Sequence, residues 1–174
     1  MSLTSALVIN AVVLAAVLGS DLGHRRFDSR SVRRSLIICA AVAAYFVRDF
    51  YTSGTGLVVQ ITGVAAGVLV GLLAVSLMKV TRHPDDTVHT YAGAAYATVW
   101  VGMSVLRSLI SIGLTYWFGT AVGTWLVEQG AAPAQITGII TNFFVFMAVT
   151  AIITRSLAIR ARAAALPATR AFTG

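Results

Sequence analysis

Residues 57–78 read LVVQITGVAAGVLVGLLAVSLM, an apolar run with no charged residue and only Gln60, Thr62 and Ser76 as polar side chains. At 1.5 Å per residue a helix of this length reaches across the ~30 Å hydrocarbon core of a bilayer. Four more runs flank it. One covers 3–19; a second starts at 35 and stays apolar to 47, where it meets Arg48 and Asp49; a third covers 92–118; the last covers 134–153, just short of Arg155. Helix is forced in such runs, because an open strand cannot satisfy its backbone in lipid. The sequence therefore predicts an all-α, polytopic membrane helical bundle of about five transmembrane helices, with 1–174 as a single domain.

Composition agrees. The chain is 57% hydrophobic and 11% charged, with mean hydropathy +0.84, whereas a soluble domain carries about a quarter charged residues. The formal charge of +7 comes from basic residues at the ends of apolar runs. That is the pattern of membrane anchoring rather than of phosphate tracking, so no nucleic-acid partner is expected. A single cysteine, Cys39, excludes a disulfide within the chain and a thiolate metal cluster. Residues 1–19 lack a positive n-region and their arginines follow the apolar stretch, which favours a retained first span over a cleaved signal.

The charges set an orientation. Arg25, Arg26, Arg30, Arg33 and Arg34 follow the first run, Lys79 and Arg82 follow the third, and Arg155, Arg160, Arg162 and Arg170 follow the fifth. Eleven of the thirteen basic residues thus share one side. The positive-inside rule makes that side cytoplasmic, with the N-terminus outside and the C-terminus inside a plasma (inner) membrane. Within the third run, Gly63, Gly67 and Gly71 form a small-xxx-small stripe that admits a close neighbour, either inside the bundle or in a homo-oligomer. Residues 119–133, with Trp125 and Glu128, read as an interfacial or re-entrant segment on the outer side.

With Asp21, Asp28, Asp85 and Asp86 of the same loops also set aside, four charges remain: Arg48, Asp49, Arg107 and Glu128. All map to the outer half. Arg107 falls about 21 Å from the inner end of its run. A charge at mid-membrane costs roughly 3 kcal/mol, so it must face protein or water. On a helical wheel Gly93, Tyr96, Trp100, Ser104, Arg107 and Ser111 lie on one face, opposite Val, Leu and Ile. Tyr45 and Asp49 share a face of the second run; Gln135, Gly138, Asn142 and Phe146 share one of the fifth. Three helices can then line one cavity.

Two readings of that cavity stay open. In the plainer one Arg107 pairs with Asp49 to lock two helices, and Glu128 lies in water. In the chemical one, desolvation keeps a carboxyl protonated so that it can donate a proton. Aromatic faces from Trp100, Tyr116, Trp117 and Trp125 then stabilise a cation, with Tyr45, Tyr96, Ser104 and Asn142 on the faces that line the cavity. Trp117 and Trp125 also suit a simple role as interfacial anchors. The His83–Pro–Asp–Asp86 stretch reads as a solvated turn, and His24 and His89 lie in or beside the same loops, so no metal or cofactor is expected. Serine-hydrolase, zinc-protease and P-loop motifs do not occur.

Two families come to mind from these residues. The pattern Gly93-x-x-Tyr96-x-x-x-Trp100-x6-Arg107, with Arg33 and Arg34 before the second run, resembles small uncharacterised actinobacterial membrane proteins described as similar to the cytochrome c biogenesis protein CcdC. That resemblance implies a compact bundle. In size, helix count and a carboxyl beside aromatics the chain also looks like the small integral-membrane terpene cyclases of actinobacterial indole-sesquiterpenoid pathways. This second resemblance implies an isomerase of terpenoid biosynthesis, which protonates a terminal epoxide or alkene of a prenyl chain and cyclises it. Asp49 would be the proton donor, Glu128 the second candidate, and Arg107 the residue that orients the acid or a polar substrate group. A binding or assembly module is the rival reading, and a small oligomeric transporter the third, although no internal repeat is visible.

Overall fold

The computed structural model describes residues 22–26, 50–52, 54–83 and 87–166, with single positions at 10, 11, 14, 15, 18, 19, 37, 41 and 44. Four helices and three short strands follow in order: β1 (Gly23–Arg26), α1 (Gly54–Ser76), β2 (Met78–Arg82), β3 (Val88–Ala92), α2 (Ala94–Tyr116), α3 (Gly119–Glu128) and α4 (Ile136–Ala165), the last entered through a 3-10 turn at Pro133–Gln135. The chain is mostly helical. Among the described residues, three helices are long and apolar enough to cross a membrane: α1, α2 and α4 with its 3-10 turn. The first two expected spans fall largely outside the described residues; Asn10, Ala11, Leu14, Ala15, Leu18 and Gly19, and Ile37, Ala41 and Ala44, are helical.

Helices α1 and α4 run parallel and touch along the glycine stripe. A Cβ at Gly63 would come to 2.7 Å of the Phe143 carbonyl oxygen, and one at Gly71 to 2.6 Å of the Ala151 oxygen, with Met147 opposite Gly67 in the same register. Glycine is required because only a missing side chain lets two backbones approach this closely. The neighbour that the stripe admits is thus α4 of the same chain.

Helix α4 outruns its expected boundary. The apolar run ends before Arg155, yet no glycine or proline follows until Pro167, so the helix continues to Ala165. Thirty residues make about 45 Å, well over the hydrocarbon thickness, and the last turns project beyond it.

The projecting end packs against a feature that reading 21–34 and 79–90 as loops did not contain. Strands β2 and β3 form an antiparallel hairpin, and β1 adds to the other edge of β3 to give the order β1-β3-β2. Lys79 pairs with Tyr91 and Thr81 with His89; His24 pairs with Tyr91 from the other side. Met78, Ala92 and Tyr96 are buried with Ala74, Val75 and Ile159, so one sheet face closes over the ends of α1, α2 and α4. Two arginines complete the seal. Arg162 Nη1 donates to the Val75 carbonyl (2.7 Å) in the last turn of α1, and Arg82 Nη1 donates to the Leu166 carbonyl (3.0 Å) just past α4. Both place a cation at the negative end of a helix dipole.

At the far end, 119–133 resolves into the ten-residue α3 and a sharp stop. Ala131 N–H donates to Leu126 O (2.9 Å) and Gly130 N–H to Val127 O (2.8 Å), with Gly130 at φ +89°. This is a Schellman ending, which needs a left-handed residue that glycine adopts without strain. Leu126 and Ala131 then pack on Ile139 of α4.

Candidate functional site

The expected inward face of α2 is present. Tyr96 is buried and Trp100, Ser104, Arg107 and Ser111 are half-buried, whereas Val101, Val105, Leu106 and Leu109 are exposed. The polar groups on it, however, divide into separate levels. Tyr96 and Arg107 are eleven residues apart, hence about 16 Å along the axis.

The level nearest the sheet centres on Tyr96, fully buried three residues into α2. Arg155 Nη1 of α4 donates to the Tyr96 hydroxyl oxygen at 2.5 Å, and Arg155 is itself only 9% exposed. Trp100 lies 6.2 Å from the Tyr96 ring, tilted at 59°, and its Nε1 is buried with no hydrogen-bond partner among the described residues. Arg155 was expected in a solvated tail. Its place in a buried contact follows from the extra turns of α4, which carry it back over α2.

The middle level holds Arg107. Its guanidinium carbon stands 5.4 Å from the centre of the Phe144 ring of α4, a cation–π contact. Glu128 is the one acidic residue among those described; it is exposed in the last turn of α3 and makes no ion pair with Arg107. Next to this level the N-terminal segment joins α2: Asn10 Nδ2 donates to the Ser104 carbonyl (2.9 Å) and to Ser108 Oγ (3.0 Å).

The far level is built of amides. Asn142 is 1% exposed and Gln60 is 3% exposed, on facing sides of α4 and α1. With the Gln60 amide turned so that both its atoms are satisfied, Asn142 Nδ2 donates to Gln60 Oε1 (3.1 Å) and Gln60 Nε2 donates to the Tyr51 carbonyl (3.2 Å). Beyond it lies a cleft of about 320 Å³ lined by Phe50, Tyr51, Thr55, Gly130 and Gln135 among others. The Tyr51 hydroxyl reaches the Gln135 carbonyl across it (3.3 Å).

The structure thus brings Tyr96 and Trp100 together, sets Arg107 on Phe144, and sends Asn142 to Gln60. Tyr116 and Trp117 are 69% and 78% exposed, the placement of interfacial anchors rather than of pocket walls. Asp49, Tyr45 and Arg48 lie outside the described residues. Sequence reasoning missed Arg155 and Gln60. Gln60 was legible as the lone amide in an otherwise apolar run; Arg155 was legible in the missing helix breaker after it. Compared with known proteins, the chain matches no family model, no curated protein and no solved structure.

Proposed function

We propose that the chain is a multi-span protein of the plasma membrane, with about five spans and its arginine-rich sheet end in the cytoplasm, that binds a lipid-like small molecule beside Arg107. One observation carries this reading. Arg107 is a half-buried cation near mid-span, held on an aromatic ring, and no carboxylate among the described residues neutralises it. A cation in that position is expensive, and charged residues inside spans mark ligand or ion sites by default. An amphiphile with a polar or anionic end group meets the requirement, its chain lying along the apolar flank of α2.

The narrower reading is the acid-initiated cyclisation of a prenyl chain. Asp49 supplies the proton in that scheme, since Glu128 is exposed in the last turn of α3 and lines no enclosed pocket among the described residues. Arg107 orients the polar end, and Trp100, with its aromatic face half-buried, is the residue suited to a developing cation. Tyr96 supports Trp100 and is engaged by Arg155.

The test is to express the full chain in membranes, supply prenylated aromatic compounds, and follow retained ligand and cyclised product by mass spectrometry. Arg107→Gln should lower retained ligand at least tenfold, and Asp49→Asn should abolish cyclised product while ligand is still retained. Unchanged retention in Arg107→Gln would remove the binding site; full turnover in Asp49→Asn would remove the cyclisation and leave binding standing.

The rival, a non-catalytic assembly protein, is favoured by a different observation. Tyr96–Arg155 and Gln60–Asn142 both join helices within the chain, the work of clamps. Retention of no prenylated compound by the intact protein selects it.

A further inference from the structure

The two faces of the sheet differ in chemistry. Strand alternation turns Met78, Val80, Thr90 and Ala92 toward the helices, where they are buried or half-buried. The other face presents His24, Lys79, Thr81, His83, His89 and Tyr91, of which all but His89 are exposed. The register makes this one continuous surface: Lys79 and His24 flank Tyr91, and Thr81 lies opposite His89. The rings are ordered on it, His24 against Tyr91 and His83 against His89, each pair 4.6 Å apart. Arg26 takes the register position across from His89 on β1. No carboxylate occupies a paired position on these strands.

Position fixes what this surface meets. Strand β2 begins two residues after α1 ends, and α2 begins two residues after β3 ends, so the sheet hangs directly from two membrane spans. Its five-residue strands are about 16 Å long, against a headgroup layer of roughly 5–8 Å on each side of the hydrocarbon. The surface therefore starts at headgroup depth, on the end that carries the arginines. A leaflet rich in anionic lipid attracts each nearby Lys or Arg by roughly 1 kcal/mol, and a tyrosine such as Tyr91 suits the same depth.

We propose that the outward face of the three-stranded sheet is a binding surface for the phosphate-bearing headgroups of anionic lipids. Lys79 supplies the fixed charge, His24 and His89 supply ring N–H donors, and Tyr91 holds the strands at the interface. This surface is separate from Arg107 and does not depend on what binds there.

The test reconstitutes the full chain in nanodiscs of phosphatidylcholine with one-fifth phosphatidylglycerol and counts co-purifying lipid by native mass spectrometry. Wild type should retain phosphatidylglycerol several-fold above its share of the disc. Lys79→Gln combined with His24→Gln should bring retention back toward that share. Arg160→Gln, at an exposed arginine on α4 that is not part of the sheet, should leave it unchanged. Circular dichroism of each variant reports the helix content and separates lost folding from lost binding. Retention of the two lipids in proportion to supply by wild type overturns the proposal. So does an equal loss in Arg160→Gln, because the effect is then diffuse basic charge, and so does displacement of the lipid by a short RNA at equal phosphate concentration.

Discussion

Tyr96 shows how one hydroxyl can decide the fate of a buried cation. Arg155 is nearly closed off from solvent, and Tyr96 Oη accepts from its Nη1. Hydrogen bonds to charged groups are worth roughly 1.5–3 kcal/mol, and the larger cost falls on the charge left behind. Tyr96→Phe should therefore lower the thermal midpoint in detergent by several degrees, at about 2–4 °C per kcal/mol for a chain of this size. Tyr96→Phe with Arg155→Met should recover part of that loss, since it removes both halves of the contact rather than one. A double variant as unstable as the sum of the two single ones would mean the contact carries no coupling. At this scale the sequence was partly legible. Tyr96 and Asn142 stood out as polar or aromatic groups on inward faces, but their partners Arg155 and Gln60 are 59 and 82 positions away, and no spacing rule connects them.

Helix pairing is decided by the glycines. Gly67 faces the Met147 carbonyl, with Thr150 Cβ at 2.9 Å from where a side chain would begin. Gly67→Leu must push α1 away from α4, and overpacking of this kind costs about 1–3 kcal/mol or more. The expected result is a lower melting midpoint with the sedimentation behaviour of the detergent-solubilised protein unchanged. A variant that keeps its midpoint and changes its association state would instead assign the stripe to a second copy. The small-xxx-small pattern was visible in the sequence; its partner was not, because the motif specifies closeness and says nothing of which helix supplies it. The strands were hidden for a related reason. Val80, Thr81, Thr87 and Val88 carry β propensity, yet β1 joins from a segment more than fifty residues earlier, and only folding brings it there.

At the scale of the whole molecule, the described residues pair an arginine-bearing sheet end with an apolar waist. Large exposed side chains such as Val58, Ile61, Leu69, Leu106 and Leu109 surround α1 and α2, the surface a bilayer covers. If the positive-inside orientation holds, Thr81 and Glu128 lie on opposite sides. With Cys39 replaced by serine, a cysteine at Glu128 should react with a membrane-impermeant thiol reagent on intact cells, and one at Thr81 only after permeabilisation. The reversed pattern would invert the topology and move the basic sheet face to the outside.

The sequence by itself determined that this protein is mostly helical, with apolar runs long enough to span a membrane, because burial in hydrocarbon is a one-dimensional constraint that such runs record directly. It also marked which side of α2 turns inward, since helical periodicity is local. The tertiary structure alone decided that the polar face splits into levels, that α4 fills the glycine stripe, and that three loop segments pair into a sheet. Those outcomes depend on contacts between residues far apart in the chain, and long-range contacts leave no period in the sequence to read.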